Sequence, residues 1–388
     1  MHIRHIQTLF SPEHGGPLHS LTNYCVHQVA LGHQVSLRVL EGFPGTSAAV
    51  RPSWAVDQRV FSVSWPSKLG YSREFRASLA KDTQPDLFHI HGSWHIALAD
   101  AARSAAREGI PYLLEPMGSY SKYEFGRKPL RKALFRRLFQ DRILQNAACL
   151  HVNSRPEGLF LRSLGIRSPI AVLPVGVDIG RFAEELGAKP ADWPVEEGLP
   201  FVLFLSRIHP TKGVDMLLRA WSGLKERFPG WHLVVAGTGD EDHVRMYRKL
   251  AREEGLDSTC FFVGSLSEAG KVWAMHNAKV YVLPSRQENF GNVVAEALAC
   301  GTPVLTTTST PWLPSVDGKC GWVCPADTPS ISSALAEAIS APESRRAAFG
   351  AAGKALASAN FSIDRVVGNL DRVCKWAAGG QCPADLLV

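Results

Sequence analysis

Short apolar runs rich in β-branched residues alternate along this chain with amphipathic stretches of helical period. In the first half they predict strands at residues 3–9, 34–40, 87–91, 111–114, 149–152 and 170–173. In the second half they predict strands at residues 201–205, 232–236, 260–263, 280–283 and 303–306. Continuous apolar runs separated by helices are typical of parallel strands buried on both faces. The order therefore predicts an α/β protein with two doubly wound, Rossmann-like domains.

The division between the domains is expected in residues 174–200, where glycines, prolines and acidic residues occur without a clear strand. A chain of 388 residues also exceeds the roughly 250–300 residues at which single cores stop growing. We expect an N-terminal domain at 1–176, a C-terminal domain at 177–360 and a closing segment at 361–388. That last segment is predicted to form an amphipathic helix, which either closes the second domain or packs back on the first.

Composition narrows the class of protein. With 45% hydrophobic and 20% charged residues, the chain has an ordinary globular balance. Its apolar runs are of strand length, so no transmembrane span is predicted, and the first residues lack the apolar stretch of a secretory signal. The eight cysteines do not have zinc-type pairing, which favours reduced thiols and a cytoplasmic location. A net charge of +6 permits an anionic partner without showing one.

Ligands of doubly wound sheets bind beyond the carboxyl ends of the strands, so the loops there carry the candidate chemistry. Gly15 and Gly16 follow the opening strand and precede Pro17, which suits a first helical turn. Two glycines before a helix allow backbone N–H groups to approach an anion closely. A tight turn from strand to helix explains the same pattern, and both interpretations stay open here.

A second loop places Arg207 and Lys212 between the strand 201–205 and a following helix. Lys212 is predicted in the first turn of that helix, at the positive end of the helix dipole, where a lysine is locally unfavourable. An anionic ligand between the two cations would remove that conflict, with Arg207 suited to bidentate phosphate contacts. The alternative is a pair of solvated surface cations.

A third loop places Glu288 after the strand 280–283 and Glu296 about one turn inside the next helix. Carboxylates accept hydrogen bonds from vicinal hydroxyl groups, such as those of a ribose and a hexose. The backbone of residues 289–292 opens the helix and can bind phosphate. Alternatively, Glu288 caps the helix and Glu296 is solvated. The apolar neighbours of Glu296 favour burial against a ligand.

Taken together, Arg207-x4-Lys212, Glu288-x7-Glu296 and the run ALACGTPV at 297–304 resemble the retaining glycosyltransferases of family 4, which have the GT-B fold. The resemblance covers essentially the whole chain. Further matching positions are Gly15 and Gly16, His91 in DLFHIHG, residues 174–178, and Gly237 and Gly239. One departure is Val175, where family members commonly have Asn, and it affects the expected hinge contact.

The resemblance implies two Rossmann-like domains facing an interdomain cleft, and it implies a role for each matching residue. Arg207 and Lys212 would bind the diphosphate, Glu288 the donor hexose and Glu296 the ribose diol. Further donor contacts are implied for Gly15, Gly16, Gly237, Gly239, Asn289, Phe290, Gly291 and Asn292. His91 would face the donor sugar near the reacting carbon. A core histidine at a strand end is the alternative for His91. The implied catalytic group is His91, Arg207, Lys212 and Glu288.

The implied reaction moves a hexose, with retention, from a nucleotide-diphosphate sugar to a hydroxyl group of a glycan or lipid-linked acceptor. UDP-sugars come first and GDP-mannose second by family frequency, and bacterial surface polysaccharide or glycolipid synthesis is the expected setting. No Asp-x-Asp motif occurs in a suitable loop, so neither a metal nor another cofactor is expected. Two other functions stay open: a nucleotide-sugar epimerase of similar fold, and a non-catalytic nucleotide-sugar or glycan-binding protein.

The acceptor side is marked by a basic stretch at residues 122–137. As a helix it would align Leu130, Leu134, Phe135 and Leu138 opposite basic residues. Such a helix either contacts an anionic membrane surface or a lipid-diphosphate acceptor, or packs with a solvated basic face. Tyr120 and Tyr123 are candidate acceptor contacts by location. A nucleic-acid partner is not expected, and peripheral contact with the inner face of the membrane is an open alternative.

Overall fold

A computed structural model of the chain describes residues 1–11, 15–51, 57–120, 133–183 and 187–388. The chain forms two compact units. The first comprises Met1–Gly176 together with Ile363–Val388, and the second comprises Val177–Ser362. Each unit is built on one parallel sheet, so the predicted pair of doubly wound α/β domains is confirmed.

The sheet of the first unit has seven strands. In chain order they are β1 (His2–Gln7), β2 (Gln34–Glu41), β3 (Gln58–Ser62), β4 (Leu87–His91), β5 (Tyr112–Glu115), β6 (Cys149–Val152) and β7 (Ile170–Val172). Their lateral order is β3-β2-β1-β4-β5-β6-β7, with every neighbouring pair parallel. The strand order therefore reverses between β1 and β4, the position where such sheets place their ligand loops.

The sheet of the second unit has six strands. They are β8 (Phe201–Leu205), β9 (His232–Ala236), β10 (Cys260–Gly264), β11 (Val280–Leu283), β12 (Val304–Thr307) and β13 (Gly321–Cys324). Their lateral order is β10-β9-β8-β11-β12-β13, again parallel throughout. The reversal here falls between β8 and β11, so the loops that follow these two strands are neighbours.

Helices connect the strands in both units. In the first unit these are α1 (Gly16–Ala30), α2 (Arg73–Ser78), α3 (Ile96–Glu108), a π-helical turn (Arg136–Gln140), α4 (Asp141–Gln145) and α5 (Arg155–Ser163). In the second unit they are α6 (Ile179–Ala183), α7 (Val214–Ser222), α8 (Glu241–Glu253), α9 (Glu268–Asn277), α10 (Asn292–Cys300), α11 (Leu313–Val316), α12 (Thr328–Ser340) and α13 (Glu343–Phe361). The last helix is α14 (Ile363–Ala377), and short 3₁₀ turns occur at Ser67–Leu69, Pro210–Lys212 and Ala384–Leu386.

All eleven predicted strands are present, with ends that differ from the prediction by no more than two residues. The two missed strands, β3 and β13, each lie at an edge of their sheet. In β3 only Phe61 is buried, so no continuous apolar run marks it. In β13 a glycine and a cysteine bound a stretch of only four residues. The exposure of β3 thus removes the continuous apolar run that identifies central strands, whereas β13 is largely buried and was missed because it is short.

Helix α14 belongs to the first unit. Val366, Leu370 and Val373 are buried there in one apolar cluster with Ile3 and Leu113. The Nε2 atom of His33 also lies 2.7 Å from Oδ1 of Asp371 in this helix. The chain thus returns to its first sheet after completing the second unit. All eight cysteines are unpaired.

Candidate functional site

Lys212 and Glu288 meet beyond the carboxyl ends of the neighbouring strands β8 and β11. Lys212 ends a 3₁₀ turn, and its ammonium group forms an ion pair with Oε2 of Glu288. Only 12% and 13% of the two side chains is exposed. The hydroxyl of Ser285 donates to the same carboxylate at 3.4 Å. The prediction of Lys212 within a first helical turn is wrong, because α7 begins two residues later and Glu288 already supplies a counter-charge.

Arg286 and Asp215 form a second ion pair between the same two loops, which the sequence analysis missed. The Nη1 and Nη2 atoms of Arg286 donate to the two carboxylate oxygens of Asp215 at 2.8 and 2.6 Å, and Nη1 also donates to the carbonyl of Pro210 at 2.9 Å. Burial raises the pKa of Asp215, but hydrogen bonds and charge from Arg286 outweigh it, so the pKa lies below its usual value. This pair fixes the turn that carries Lys212.

Glycines allow the loops after β8, β9 and β11 to touch. Gly213 has a φ of 71°, and a Cβ there would lie 2.1 Å from the carbonyl oxygen of Pro284. A Cβ on Gly239 would lie 2.0 Å from the carbonyl oxygen of Ile208, whose N–H donates to Thr238 at 2.7 Å. No side chain fits at either distance, so the loops can pack this closely only with glycine at both positions.

Arg207 lies in the loop held by these contacts, directly before Ile208, and its side chain is exposed. Within the described parts of the chain, its guanidinium has no hydrogen-bond or ion-pair partner. The backbone around it is nevertheless fixed, because Ser206 and Ile208 both donate hydrogen bonds to the β9 side. A fixed backbone with an unpaired guanidinium suits recognition of an anion.

Glu296 lies in α10 and pairs with Lys271 of α9. The ammonium group lies 2.7 Å from Oε2, although not in line for a good hydrogen bond, so the contact is mainly one of charge. Only 14% of the Glu296 side chain is exposed, which excludes the freely solvated alternative. Lys271 was not identified from the sequence, because a single lysine in an amphipathic helix is no signal by itself.

Tyr281 contacts the end of β8 and lies within electrostatic reach of both glutamates. Its hydroxyl donates to the carbonyl oxygen of Leu205 at 3.1 Å. Burial raises the pKa of Tyr281 well above its usual value, and the charges of Glu296 and Glu288 raise it further. The negative charges of Glu288 and Glu296 therefore both raise the pKa of this one buried phenol, which lies beside the loop that carries Arg207.

The segment between the two glutamates leads into α10. Gly291 is the N-cap with a φ of 83°, and Asn292 is the first helical residue. Phe290 is buried, and its carbonyl oxygen accepts a hydrogen bond from the indole N–H of Trp312. Phe290, preceding Gly291, is thus anchored by its ring and carbonyl, while the helix start presents N–H groups to a ligand.

In the first unit, Gly15 is the N-cap of α1, with a φ of 42° and open space where a Cβ would stand. Its carbonyl oxygen accepts a hydrogen bond from His19 at 3.0 Å, and Pro17 occupies the first turn. The preceding residues 12–14 lie outside the described residues. The geometry satisfies the tight-turn alternative and leaves the start of a 15-residue helix for an anion.

His91 ends β4 and is completely buried. Its Nδ1 atom lies 2.6 Å from Oε2 of Glu115, and its Nε2 atom lies 2.9 Å from Nδ1 of His5. Because both ring nitrogens face other side chains of the same unit, the structure fits the alternative interpretation of His91 as a core histidine.

The surroundings of His91 are unusually polar. Glu115 also accepts a hydrogen bond from Asn153 at 3.0 Å, and His5 contacts Gln28 at 2.7 Å. Burial lowers the pKa of His5 to about 3. Burial raises the pKa of Glu115, but His151, His91 and Asn153 bring it down to about 2. The sequence shows none of these contacts, since they join four different strands and a helix.

The predicted acceptor contacts are only partly described. Tyr120 is completely buried, so it offers no surface to an acceptor. Tyr123 and most of the basic stretch lie outside the described residues. In the described end of that stretch, Leu134 and Leu138 are 62% and 58% exposed, contrary to the packed apolar face of the alternative interpretation. Across the described residues, no helix combines the length and hydropathy needed to span a bilayer.

Comparison with known proteins agrees with this architecture. Residues 15–176 match the glycosyl transferase 4-like domain, and residues 188–355 match the glycosyl transferases of group 1. The chain is 32% identical, over 272 residues, to a GDP-mannose-dependent alpha-(1-6)-phosphatidylinositol monomannoside mannosyltransferase of Mycolicibacterium smegmatis, covering 67% of this chain and 65% of that protein.

A phosphatidyl-myo-inositol mannosyltransferase of Mycobacterium tuberculosis is 34% identical over 214 residues, covering 53% of this chain and 54% of that protein. The matches thus span between 54% and 65% of the length of these two relatives. Among solved structures, Anabaena HepE in complex with UDP and glucose aligns with a TM-score of 0.77 and 18% identity, over 97% of this chain and 100% of that chain. At that identity the likeness shows the fold alone.

Proposed function

Because this chain belongs to family 4 of the glycosyltransferases, the group 1 enzymes with the GT-B fold, we propose that it moves a hexose from a nucleoside-diphosphate sugar to an acceptor hydroxyl. The observation that carries the proposal is the ion pair of Lys212 and Glu288. Arg207, which is exposed and has no partner among the described residues, follows the same strand as Lys212, and Glu296 lies within electrostatic reach of the same tyrosine as Glu288.

The donor diphosphate would bind to Arg207 and Lys212. A diphosphate carries more charge than one carboxylate, so it competes with Glu288 for the ammonium group of Lys212. Transfer of Lys212 to the phosphate would leave Glu288 able to accept hydrogen bonds from the hexose. Positive charge then stabilises the leaving diphosphate as the glycosidic bond breaks. In this proposal no divalent metal is needed at the diphosphate.

The ribose would bind through Glu296, which forms an ion pair with Lys271. Gly15 and Gly16, at the start of α1, would bind phosphate through backbone N–H groups. We propose transfer with retention, with a departing phosphate oxygen taking the acceptor proton, as the family resemblance implies. His91 is not among the proposed donor contacts, because both of its ring nitrogens already have partners.

GDP-mannose is the donor that the sequence relatives support, since the Mycolicibacterium relative is GDP-mannose-dependent by name. The sequence-based preference for a UDP-sugar donor rests on family frequency alone. Both relatives act, by name, on phosphatidylinositol compounds, which supports a glycolipid acceptor. Leu134 and Leu138, exposed beside the exposed Arg137, would contact the surface of an anionic membrane. Weaker binding of Leu134→Ser/Leu138→Ser to anionic vesicles, with no change on neutral ones, would support this; unchanged binding would contradict it.

The deciding experiment incubates the purified protein with GDP-mannose or UDP-glucose, with and without phosphatidylinositol and glycan acceptors, and follows all species by mass spectrometry. A glycosylated acceptor supports the proposal, and NMR of the new linkage reports the anomeric configuration. Donor conversion without an acceptor identifies an epimerase instead. Thermal stabilisation by a donor without any turnover identifies a binding protein.

A further inference from the structure

The core of the first unit contains five ionisable side chains that the proposed reaction does not use. They are His5 of β1, His89 and His91 of β4, Glu115 of β5 and His151 of β6, and each is at most 1% exposed. Such positions in a parallel sheet are normally apolar, because every buried polar group needs a partner. We call these five residues the histidine cluster.

The outer nitrogens of two of the rings face hydrogen-bond acceptors. Nε2 of His5 lies 2.7 Å from Oε1 of Gln28, and Nδ1 of His91 lies 2.6 Å from Oε2 of Glu115. Nδ1 of His91, which faces a carboxylate, is therefore the protonated nitrogen of its ring. Nε2 of His5 is the protonated one with the Gln28 amide in this orientation, which leaves Gln28 Nε2 buried without a hydrogen-bond partner among the described residues. A neutral imidazole has a single N–H group, so Nδ1 of His5 and Nε2 of His91 carry lone pairs. These two atoms face each other at 2.9 Å. Two lone pairs at that distance repel unless a cation, either a metal ion or a further proton, lies between them.

His89 supplies a third lone pair. Nε2 of His151 donates to the carbonyl of Leu173 at 3.1 Å, so its Nδ1 accepts from Nε2 of His89 at 3.3 Å. This leaves Nδ1 of His89 unprotonated, and it has no hydrogen-bond partner among the residues that the structure describes. One ring nitrogen from each of His5, His89 and His91 lies within 4.8 Å of the other two.

We propose that His5, His89 and His91 bind one divalent transition-metal ion. Imidazole is a preferred ligand of Zn²⁺, Co²⁺ and Ni²⁺, and ions of this class are the expected occupants. Two metal–nitrogen bonds of about 2.0–2.1 Å span the 2.9 Å between His5 and His91 at an angle of about 90°. Metal-bound histidines are usually oriented by a hydrogen bond from the ring nitrogen that does not bind the metal. Glu115 would orient His91 in this way and Gln28 would orient His5, while Asn153 donates a hydrogen bond to Glu115.

The role of the ion is structural and does not depend on the proposed function. It links β1 to β4, the two strands at which the order of the sheet reverses. Its charge also compensates the buried carboxylate of Glu115, which would otherwise be costly. Because the cluster is completely buried, the ion enters during folding. This proposal departs from the sequence-based expectation that the protein binds no metal.

The protein is produced without a tag in medium that contains Zn²⁺, Co²⁺ and Ni²⁺, and it is then treated with a chelating agent to remove loosely bound ions. The test measures the metal that stays bound. The proposal expects about one ion per chain in the wild type. His5→Asn and His89→Asn should lower that content about tenfold or more, as expected when a ligand is lost. His33→Asn is the matched control, since His33 is a buried histidine of the same unit paired with Asp371, and it should keep the metal.

A second measurement covers the case in which the variants do not fold. Wild-type protein is unfolded with a chelator and refolded with Co²⁺ alone, and nitrogen ligation is read from the visible ligand-field bands and X-ray absorption. Metal-free wild-type protein that refolds with an unchanged Tm would overturn the proposal. So would nitrogen NMR showing that His5 and His91 share a single proton, since the cation would then be that proton.

Discussion

Arg286 holds both carboxylate oxygens of Asp215, at 2.8 and 2.6 Å, and so ties the loop after β11 to the first turn of α7. The same guanidinium donates a hydrogen bond to the carbonyl of Pro210, two residues before Lys212. The position of the proposed phosphate-binding lysine thus depends on a residue from another loop.

Replacing Arg286 by Lys keeps the charge but loses the bidentate geometry. We expect the donor KM to rise several-fold, and the free energy of unfolding to fall by about 1–2 kcal/mol, because the pair is partly exposed and solvent weakens it. Steady-state kinetics and urea unfolding measure the two effects. Arg245→Lys, which changes an exposed pair in α8, is the control and should leave both unchanged. An unaltered KM in Arg286→Lys would show that the pair does not position Lys212.

Lys212→Ala should reduce kcat by about two orders of magnitude or more, because a cation at the leaving group stabilises the transition state. The fold should remain intact, but the thermal unfolding midpoint should fall, because Glu288, with 13% of its side chain exposed, loses its counter-charge. Lys249→Ala removes an exposed lysine of the same unit and should retain full activity. A near-normal rate in Lys212→Ala would remove this residue from the proposed mechanism.

Gly213→Ala should destabilise the second unit far more than Gly230→Ala. Both glycines have positive φ, 71° and 83°, so each substitution carries the backbone strain of about 1–2 kcal/mol. Only at Gly213 does the added Cβ meet backbone, 2.1 Å from the Pro284 oxygen, whereas the space at Gly230 is open. Comparing the urea unfolding of the two variants separates the cost of backbone strain, which both share, from the cost of the steric clash, which occurs only at Gly213. Equal losses would mean that the close approach of the loops contributes nothing.

Glu157 makes the stability of the first unit dependent on pH. Burial raises its pKa from 4.5 to about 8, although the N–H of Gly118 donates to it at 2.8 Å. An acid with a raised pKa in the folded state holds its proton there more tightly than in the unfolded chain. Its contribution is therefore complete below about pH 4.5 and is lost as the pH rises through 8. Urea midpoints between these values should fall more steeply for the wild type than for Glu157→Gln. Parallel curves would show that Glu157 is not the group responsible.

Turnover should persist when a chelator is present during the assay, because in the proposed mechanism Arg207 and Lys212 take the place of a metal at the diphosphate. Initial rates with chelator, and with added Mg²⁺ or Mn²⁺, measure this directly. A buried ion in the histidine cluster would not exchange on that timescale, so the assay reports on the donor loops. Activity that requires an added divalent ion would contradict the prediction.

Much of the site could be predicted because its residues stand in short loops after apolar runs. Arg207, Lys212, Glu288 and Glu296 were found from charges at strand ends and in an apolar helix. Their partners could not be found in this way. Lys271 and Asp215 are single charges on amphipathic helices, and a pattern of one helix does not tell which loop its charged side chain meets.

The sequence by itself determined eleven of the thirteen strands and their order along the chain, because parallel strands buried on both faces must be continuously apolar and helices must separate them. It also determined which loops carry charge. Only the tertiary structure decided that Lys212 pairs with Glu288, that α14 packs in the first unit and that four histidines share one core. His5 and His91 are 86 residues apart in the chain, and they meet only because β4 pairs with β1. Such contacts follow from strand order and register, which local patterns of polarity do not encode.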